Sequence, residues 1–210
     1  MDRKMILYAA DSPNGHRAVV FMEEMAVPYE LRVINLLEGG ASTPELLALN
    51  PRARVPVLVD LGAAKTPRVL WQSWSIGAYL ADKCGAFIPA EKEARDIVLE
   101  WLFFVGTDVA MAHSTLYAVT HLIPEKAPSI TGFYEQRVLR VFRDIDRQLA
   151  VSGFLCGELS IADLALYPIF NSARALLNRY PELDNLQHWG NVMDARPGCK
   201  RGVGAFATGT

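Results

Sequence analysis

The order of the periodic segments in the first 84 residues constrains the fold of this 210-residue chain more than any other feature. The apolar run Met5 to Tyr8 predicts a buried strand, and the apolar stripe from Pro13 to Met25 predicts a helix with Glu23 and Glu24 facing outward. Tyr29 to Val33 alternates with period two and predicts a second strand. Because strand, helix and strand in this order form a crossover, we expect these two strands to be parallel.

Further elements complete this half of the chain. They are a short helix that begins at Thr43-Pro44, strands over 57–59 and 69–71, and a helix that Ser73 is predicted to cap. The loop from 61 to 67 is short enough for an antiparallel hairpin. The order predicts a mixed four-stranded sheet with three helices, which is the α/β thioredoxin-like arrangement, over residues 1–83.

Strand signals stop after Pro89, and the remainder predicts an all-α domain over residues 92–205. The apolar patterns predict a long helix over 94–117 and further helices over 130–149, 161–177 and 186–193, the last ended by Pro197-Gly198. Ser160 and Asp163 have the spacing of a capping box at the start of the third of these helices. The small, Gly-rich tail from Gly202 to Thr210 is expected to fray.

Composition restricts the classes of function. The formal net charge is -2, which argues against a nucleic-acid or membrane-surface partner. We expect no membrane span, because no segment approaches the roughly 20 apolar residues that one needs, and the N-terminus lacks the apolar core of a signal peptide. The three cysteines form no CxxC pattern and the four histidines are scattered, so we expect reduced thiols, no metal and a cytoplasmic protein.

The loop Ser12-Pro13-Asn14-Gly15 joins the first strand to the first helix and is the best candidate for a chemical centre. Ser12 can cap the helix, and Pro13 sits where a missing N–H is not needed. Unpaired N–H groups and the helix dipole make such a helix start a place for an anion.

Two other segments belong with this loop, Val55-Pro56 before the third strand and Gln72-Ser73 before the third helix. Each has an ordinary interpretation: Ser12 and Ser73 as caps only, Asn14 as a polar first-turn residue, Pro56 as a strand-entry proline and Gln72 as a solvated side chain. Their joint spacing is more informative, because a thioredoxin-like order places all three segments at one edge of the sheet.

The chain resembles the cytosolic-type glutathione S-transferase family over nearly its whole length. The matching stretches are Asn50 to Leu58, Gln72 to Leu80 and Ser160 to Asp163, while the loop Ser12 to Arg17 resembles the nu class, the glutathione-dependent disulfide-bond oxidoreductases. The resemblance implies a thioredoxin-like domain, a helical domain and a homodimer. It also implies glutathione as co-substrate, without a metal.

The resemblance also implies residue roles. Val55, before a cis Pro56, would contact the cysteinyl part of glutathione through its backbone, and Gln72 and Ser73 would hold the γ-glutamyl end. Most nu-class members carry Glu where this chain has Gln72, so the γ-amino contact would be to a neutral acceptor. Ser12 and Asn14 would donate to the sulfur and favour the thiolate, and Arg140 would reach glutathione from the helical domain.

The implied activity is disulfide reduction by glutathione, or conjugation of glutathione to small electrophiles. A protein dithiol is absent from the stretch Ser12 to Gly15, so two glutathione molecules in one site are the expected route to reduction. Two alternatives stay open: a non-catalytic binding or regulatory module, and a β-etherase or dehalogenase-like enzyme. In the latter, an apolar pocket would be lined by the aromatic and methionine side chains of Phe103, Phe104, Met111, Tyr117 and Phe133.

Overall fold

The computed structural model describes residues 5–36, 39–62 and 66–207. Its contacts divide the chain into two compact units, one formed by residues up to 86 together with those from 195 onward, and one formed by residues 87–194. The residues from 195 onward therefore belong to the first unit by their contacts. The sequence pattern instead predicts a helical domain over residues 92–205.

The first unit contains the predicted alternation of strands and helices. Its elements are β1 (Met5–Ala9), α1 (Pro13–Glu24), β2 (Glu30–Val33), a 3₁₀ turn (Gly40–Ser42), α2 (Pro44–Leu49), β3 (Val57–Asp60), β4 (Arg68–Trp71) and α3 (Ser73–Cys84). Among the described residues, four strands form one sheet in the order β2-β1-β3-β4. β1 pairs with β2 in parallel and with β3 antiparallel, and β3 pairs antiparallel with β4, as predicted. Residues 63–65 of the predicted hairpin loop lie outside the described residues.

Helices α1 and α3 pack closely because a glycine lies at their contact. A Cβ added at Gly77 would lie 2.4 Å from the ring of Phe21. Phe21 and Ile76 are fully buried. This close approach holds α1 and α3 against one another.

A further helix, α9 (Pro197–Gly204), returns to the first unit and packs along α1. The buried Glu24 carboxylate accepts hydrogen bonds from the Arg196 guanidinium and from the Cys199 backbone N–H at 2.9 Å. Glu23 accepts from Arg201 at 2.5 Å. The prediction that Glu23 and Glu24 face outward is therefore wrong, because both carboxylates are the anchors of α9.

The expectation that the tail frays is also wrong as far as residue 207. Gly202 is buried, and a Cβ on it would lie 2.4 Å from a methyl group of Val20. Pro197 does not merely end the preceding helix but occupies the first turn of α9. Residues 208–210, the rest of the predicted tail, lie outside the described residues.

The second unit is helical throughout its regular elements. These are α4 (Lys92–Phe104), α5 (Ala110–Tyr117), α6 (Pro128–Ser152), α7 (Ile161–Leu177) and α8 (Asp184–Ala195). The predicted capping box starts α7: Ser160 Oγ accepts from the Ala162 N–H at 3.2 Å, and Asp163 Oδ2 accepts from the Ser160 N–H at 3.1 Å. Asp163 also accepts from the Trp189 indole at 3.1 Å, which joins the start of α7 to α8.

The long helix predicted over 94–117 is interrupted and longer. Two π-helical turns, Val105–Val109 and Ala118–Leu122, follow α4 and α5, so the helical run extends over Lys92–Leu122. By length and composition alone, this run passes the test for a membrane-crossing helix, contrary to our expectation that no segment approaches one. Polar residues such as Thr107 and Ser114 interrupt its apolar residues, so the run meets the criterion by its mean hydropathy and its length. The same test is passed by helices that pack against protein.

Candidate active site

The register of the sheet brings the three predicted segments to one edge. Val57, the first residue of β3, is paired with Tyr8 of β1 and with Trp71 of β4. Residues directly opposite one another in antiparallel strands lie about 5 Å apart. The loop after β1, the segment before β3 and the turn after β4 therefore leave the sheet side by side, as the sequence predicts.

Ser12 caps α1, as predicted. Its Oγ accepts a hydrogen bond from the Gly15 N–H at 3.2 Å, and its hydroxyl donates to the Ala10 carbonyl over a long 3.4 Å. A Cβ added at Gly15 would lie 1.9 Å from that carbonyl oxygen, so only glycine allows the loop to fold this tightly. The hydroxyl is half-buried and can turn from Ala10 toward a better acceptor.

Asn14 and Ser73 are joined by a residue that sequence reasoning missed. The buried guanidinium of Arg17 donates from Nη1 to Asn14 Oδ1 at 2.5 Å and to Ser73 Oγ at 2.9 Å. It also lies 3.9 Å from the centroid of the Trp74 ring. A signal was present in the sequence, because Arg17 precedes the core residue Phe21 by four positions and so shares its buried helix face.

Burial governs the electrostatics of this cation. Arg17 is 1% exposed. Removal from water lowers the pKa of Arg17 to about 9, so the guanidinium is still positively charged at neutral pH. A buried positive charge therefore lies next to the two polar side chains, of Asn14 and Ser73, to which the resemblance gives a role in holding an anionic ligand.

Ser73 does not cap α3, contrary to the prediction. The helix begins at Ser73 itself, and the preceding Gln72 makes no side-chain cap. The Ser73 hydroxyl oxygen instead accepts from Arg17, and the side chain is buried. Gln72 is exposed and has a φ of 79°, a left-handed conformation that costs a non-glycine residue about 1–3 kcal/mol. Strain of this kind is typical of ligand-binding turns.

The peptide bond between Val55 and Pro56 is cis, as the resemblance implied. The loop before it is held by Asn50, a buried side chain that donates to the Arg54 carbonyl at 2.8 Å and accepts from the Arg52 N–H at 3.1 Å. Val55 lies two residues before the first ladder position of β3 and packs against the core beneath the sheet edge.

Arg140 lies in the second unit, on the exposed side of α6. It lines a cavity of about 610 Å³ within that unit. Of the residues predicted to form an apolar pocket, the cavity is lined by Phe104, Met111 and Phe133. Phe103 and Tyr117 do not line it and are 62% and 50% exposed.

The three cysteines differ in exposure and form no disulfide with one another. Cys84 is exposed, Cys156 is half-buried and Cys199 is buried. Burial raises the pKa of the Cys156 thiol to about 11. Over residues 5–36, 39–62 and 66–207, no group of three or more His, Cys, Asp or Glu side chains is arranged to hold a metal.

The sheet order, the cis-proline before β3 and the helical second unit define a thioredoxin-like domain with an appended helical domain. The chain belongs to the glutathione S-transferase family. Residues 11–83 match the family described as the glutathione S-transferase N-terminal domain.

Similar proteins extend over both units. The chain is 32% identical to the disulfide-bond oxidoreductase YfcG of Escherichia coli over 91% of this chain and 90% of that protein. A glutathione transferase of Phanerochaete chrysosporium, solved with oxidized glutathione, has a TM-score of 0.89 at 27% identity and covers 96% of this chain and 94% of its own. A glutathione transferase of Burkholderia graminis, solved with two glutathione molecules per subunit, has a TM-score of 0.89 at 26% identity and covers 99% and 90%.

Proposed function

We propose that this protein is a glutathione-dependent enzyme that binds glutathione at the edge formed by Ser12, Asn14, Val55, Pro56, Gln72 and Ser73, and uses its thiolate to reduce small disulfides. The observation that carries the proposal is the convergence of these three segments beside a buried cation. The likeness to the E. coli disulfide-bond oxidoreductase and to transferases solved with glutathione supports it.

The proposed binding follows the chemistry of the tripeptide. The γ-glutamyl carboxylate meets Ser73 at the start of α3, where backbone N–H groups and the helix dipole favour an anion. Gln72 offers a neutral side chain to the γ-amino group. The Val55 backbone meets the cysteinyl residue.

The proposed chemistry is a thiol–disulfide exchange in two steps. A free thiol titrates near 8.5, and donors at a helix start lower that value. Hydrogen bonds from Ser12 and Asn14 would stabilise the glutathione thiolate, which attacks one sulfur of the substrate and releases the other as a thiol. A second glutathione thiolate then attacks the mixed disulfide, releasing glutathione disulfide and the second thiol, so two glutathione molecules supply the two electrons.

Conjugation is the second outcome of the same activated thiolate. The ratio of hydroxyethyl disulfide reduction to chlorodinitrobenzene conjugation measures which activity dominates. We expect reduction to dominate, and a large excess of conjugation would reverse that assignment.

A non-catalytic binding module is the alternative, and it is favoured by one observation. The Ser12 hydroxyl already has a capping role and a backbone acceptor. Calorimetry with reduced glutathione, using Ser73→Ala as the weakened variant, separates the cases. Binding with no turnover on either substrate supports the module, and no saturable binding at millimolar glutathione contradicts a glutathione site altogether.

We also propose that the enzyme is a cytoplasmic homodimer. Large apolar side chains are exposed on helices of the second unit, including Phe103 at 62%, Met111 at 60% and Phe133 at 59%. Such a face is stabilised when a second subunit covers it. Light scattering should give twice the mass of one chain, and a monomer at micromolar concentration would contradict the dimer. Cell fractionation tests the location.

A further inference from the structure

We propose that Arg17 is a positioning residue of the glutathione site: it holds the side chains of Asn14 and Ser73 so that both present hydrogen-bond donors to an anionic ligand. This inference rests on the proposed function. It adds a residue to which neither the sequence pattern nor the family resemblance gave a role.

The hydrogen bonds of Arg17 with Asn14 and Ser73 have a fixed donor and acceptor. A guanidinium has only donors, so the atoms it contacts must be acceptors. The oxygen of the Asn14 amide and a lone pair of the Ser73 hydroxyl are therefore the atoms bound to Arg17. These bonds leave the donor hydrogens, on Asn14 Nδ2 and Ser73 Oγ, for other partners. Donors suit a thiolate and a carboxylate, which are both acceptors.

The Arg17 guanidinium is held in place by burial and by the Trp74 ring. The guanidinium is almost fully buried, and its Cζ lies 3.9 Å from the centroid of the Trp74 ring. Trp74 directly follows Ser73 in α3, while Asn14 and Arg17 lie one turn apart in α1. The planar fork of arginine can stack and donate to two acceptors at once, which a lysine ammonium on a flexible chain does less well.

The positive charge of Arg17 is buried beside the proposed anion site. Arg17 binds the two side chains proposed to hold the sulfur and the γ-glutamyl carboxylate, and it is shielded from solvent. A positive charge in a region of low dielectric favours nearby anions more strongly than one in water. The positive charge of Arg17 polarises Asn14 and Ser73, and these two side chains present that polarity to the ligand.

A purely structural role is the competing explanation, since the same bonds tie α1 to α3. The variants Arg17→Lys and Arg17→Met separate the two roles, and Asn14→Asp gives the size of the full effect, because its carboxylate turns an acceptor toward the sulfur in place of the proposed donor. Arg17→Lys keeps a positive charge at the buried position but lacks the planar fork that donates to two acceptors at once. A structural role predicts that the folded Arg17 variants are less stable but hold the glutathione thiolate unchanged, whereas the positioning role predicts weaker thiolate stabilisation in them.

The experiment titrates the ultraviolet absorbance of the glutathione thiolate bound to the wild type and to Asn14→Asp, Arg17→Lys and Arg17→Met, with calorimetry of glutathione binding alongside. Arg196→Met is the matched control, because Arg196 also forms a half-buried ion pair in the first unit, with Glu24. In Arg17→Met and Asn14→Asp we expect the pKa of the bound thiol to rise by about one, which is a tenfold change in its acid dissociation constant. Arg17→Lys should restore part of it, and Arg196→Met should destabilise the protein without moving the thiol pKa.

The wild-type titration tests the proposed glutathione site, and the variant titrations test the positioning role of Arg17. A wild type that binds glutathione with a depressed thiol pKa supports the proposed site, and a wild type that binds none overturns both. If the wild type binds but folded Arg17→Met and Arg17→Lys keep its thiol pKa and glutathione affinity, Arg17 is only structural and the inference is wrong. If Arg17→Met does not fold, the Arg17→Lys titration decides, because that variant keeps a positive charge at the buried position.

Discussion

The Ser73 hydroxyl accepts a hydrogen bond from Arg17, a residue 56 positions earlier in the chain, with 2.9 Å between Oγ and Nη1. The start of α3 is therefore fixed by α1 and not by a cap of its own. This long-range bond couples the two helix starts that the proposed function uses for the sulfur and the carboxylate of glutathione.

Replacement of Asn14 by alanine should lower turnover and also stability. The missing amide is a proposed donor to the thiolate, and hydrogen bonds to charged groups contribute about 1.5–3 kcal/mol, so turnover should fall about ten- to a hundredfold. The buried Arg17 guanidinium also loses an acceptor, which costs about 1–3 kcal/mol of unfolding free energy. Steady-state kinetics at a temperature where circular dichroism shows a folded variant measures the first effect. Unchanged turnover would remove Asn14 from the mechanism.

Replacement of Glu24 by glutamine should loosen α9. The buried carboxylate accepts hydrogen bonds from the Arg196 guanidinium and the Cys199 N–H. A glutamine amide has only one acceptor oxygen and no charge, so it cannot accept both bonds as the carboxylate does. We expect faster hydrogen exchange over 197–207, and little change in the sheet. Arg201→Met is the control, because the Arg201–Glu23 pair is more exposed and should matter less. Equal exchange in both variants would show that Glu24 is not the anchor.

Replacement of Ser160 by alanine tests the start of α7. The hydroxyl caps the helix and donates to the buried Asp163 carboxylate at 3.0 Å. We expect a loss of about 1–2 kcal/mol in unfolding free energy and no direct effect on turnover. Thr43→Ala, at the exposed cap of α2, is the control and should cost less, because its long bond to the Leu46 N–H is half-buried. Urea unfolding of both variants makes the comparison.

Much of the fold follows from the sequence because its signals are local. Pro13, Thr43 and Ser160 mark helix starts, and period-two alternation marks β2, without reference to distant residues. The missed features depend on contacts between distant segments. The periodic pattern places Arg17 on the buried face of α1 but does not show its partner Ser73, which lies 56 positions away, and it does not show that Glu24 has a partner 172 positions away. The π-helical turns likewise give no distinct period in the sequence.

The pH dependence of stability should report on Asp60, whose side chain is fully buried at the end of β3. Burial raises its pKa, but hydrogen bonds from Lys83, Tyr79 and the Gly62 N–H outweigh that effect and lower it overall. A lowered pKa in the folded state means stability that is present above about pH 4 and is lost as the pH falls through the folded-state value. Asp60→Asn should therefore destabilise at neutral pH, and the difference from wild type should shrink in acid. A difference that is constant with pH would contradict the assignment.

Glutathione-dependent disulfide reduction is measured with hydroxyethyl disulfide as substrate, in an assay coupled to glutathione reductase and NADPH. We expect a rate well above the protein-free blank, saturation with glutathione, and a loss of that rate in Asn14→Ala. A rate equal to the blank, in a wild-type protein shown to be folded and to bind glutathione, would contradict the proposed function.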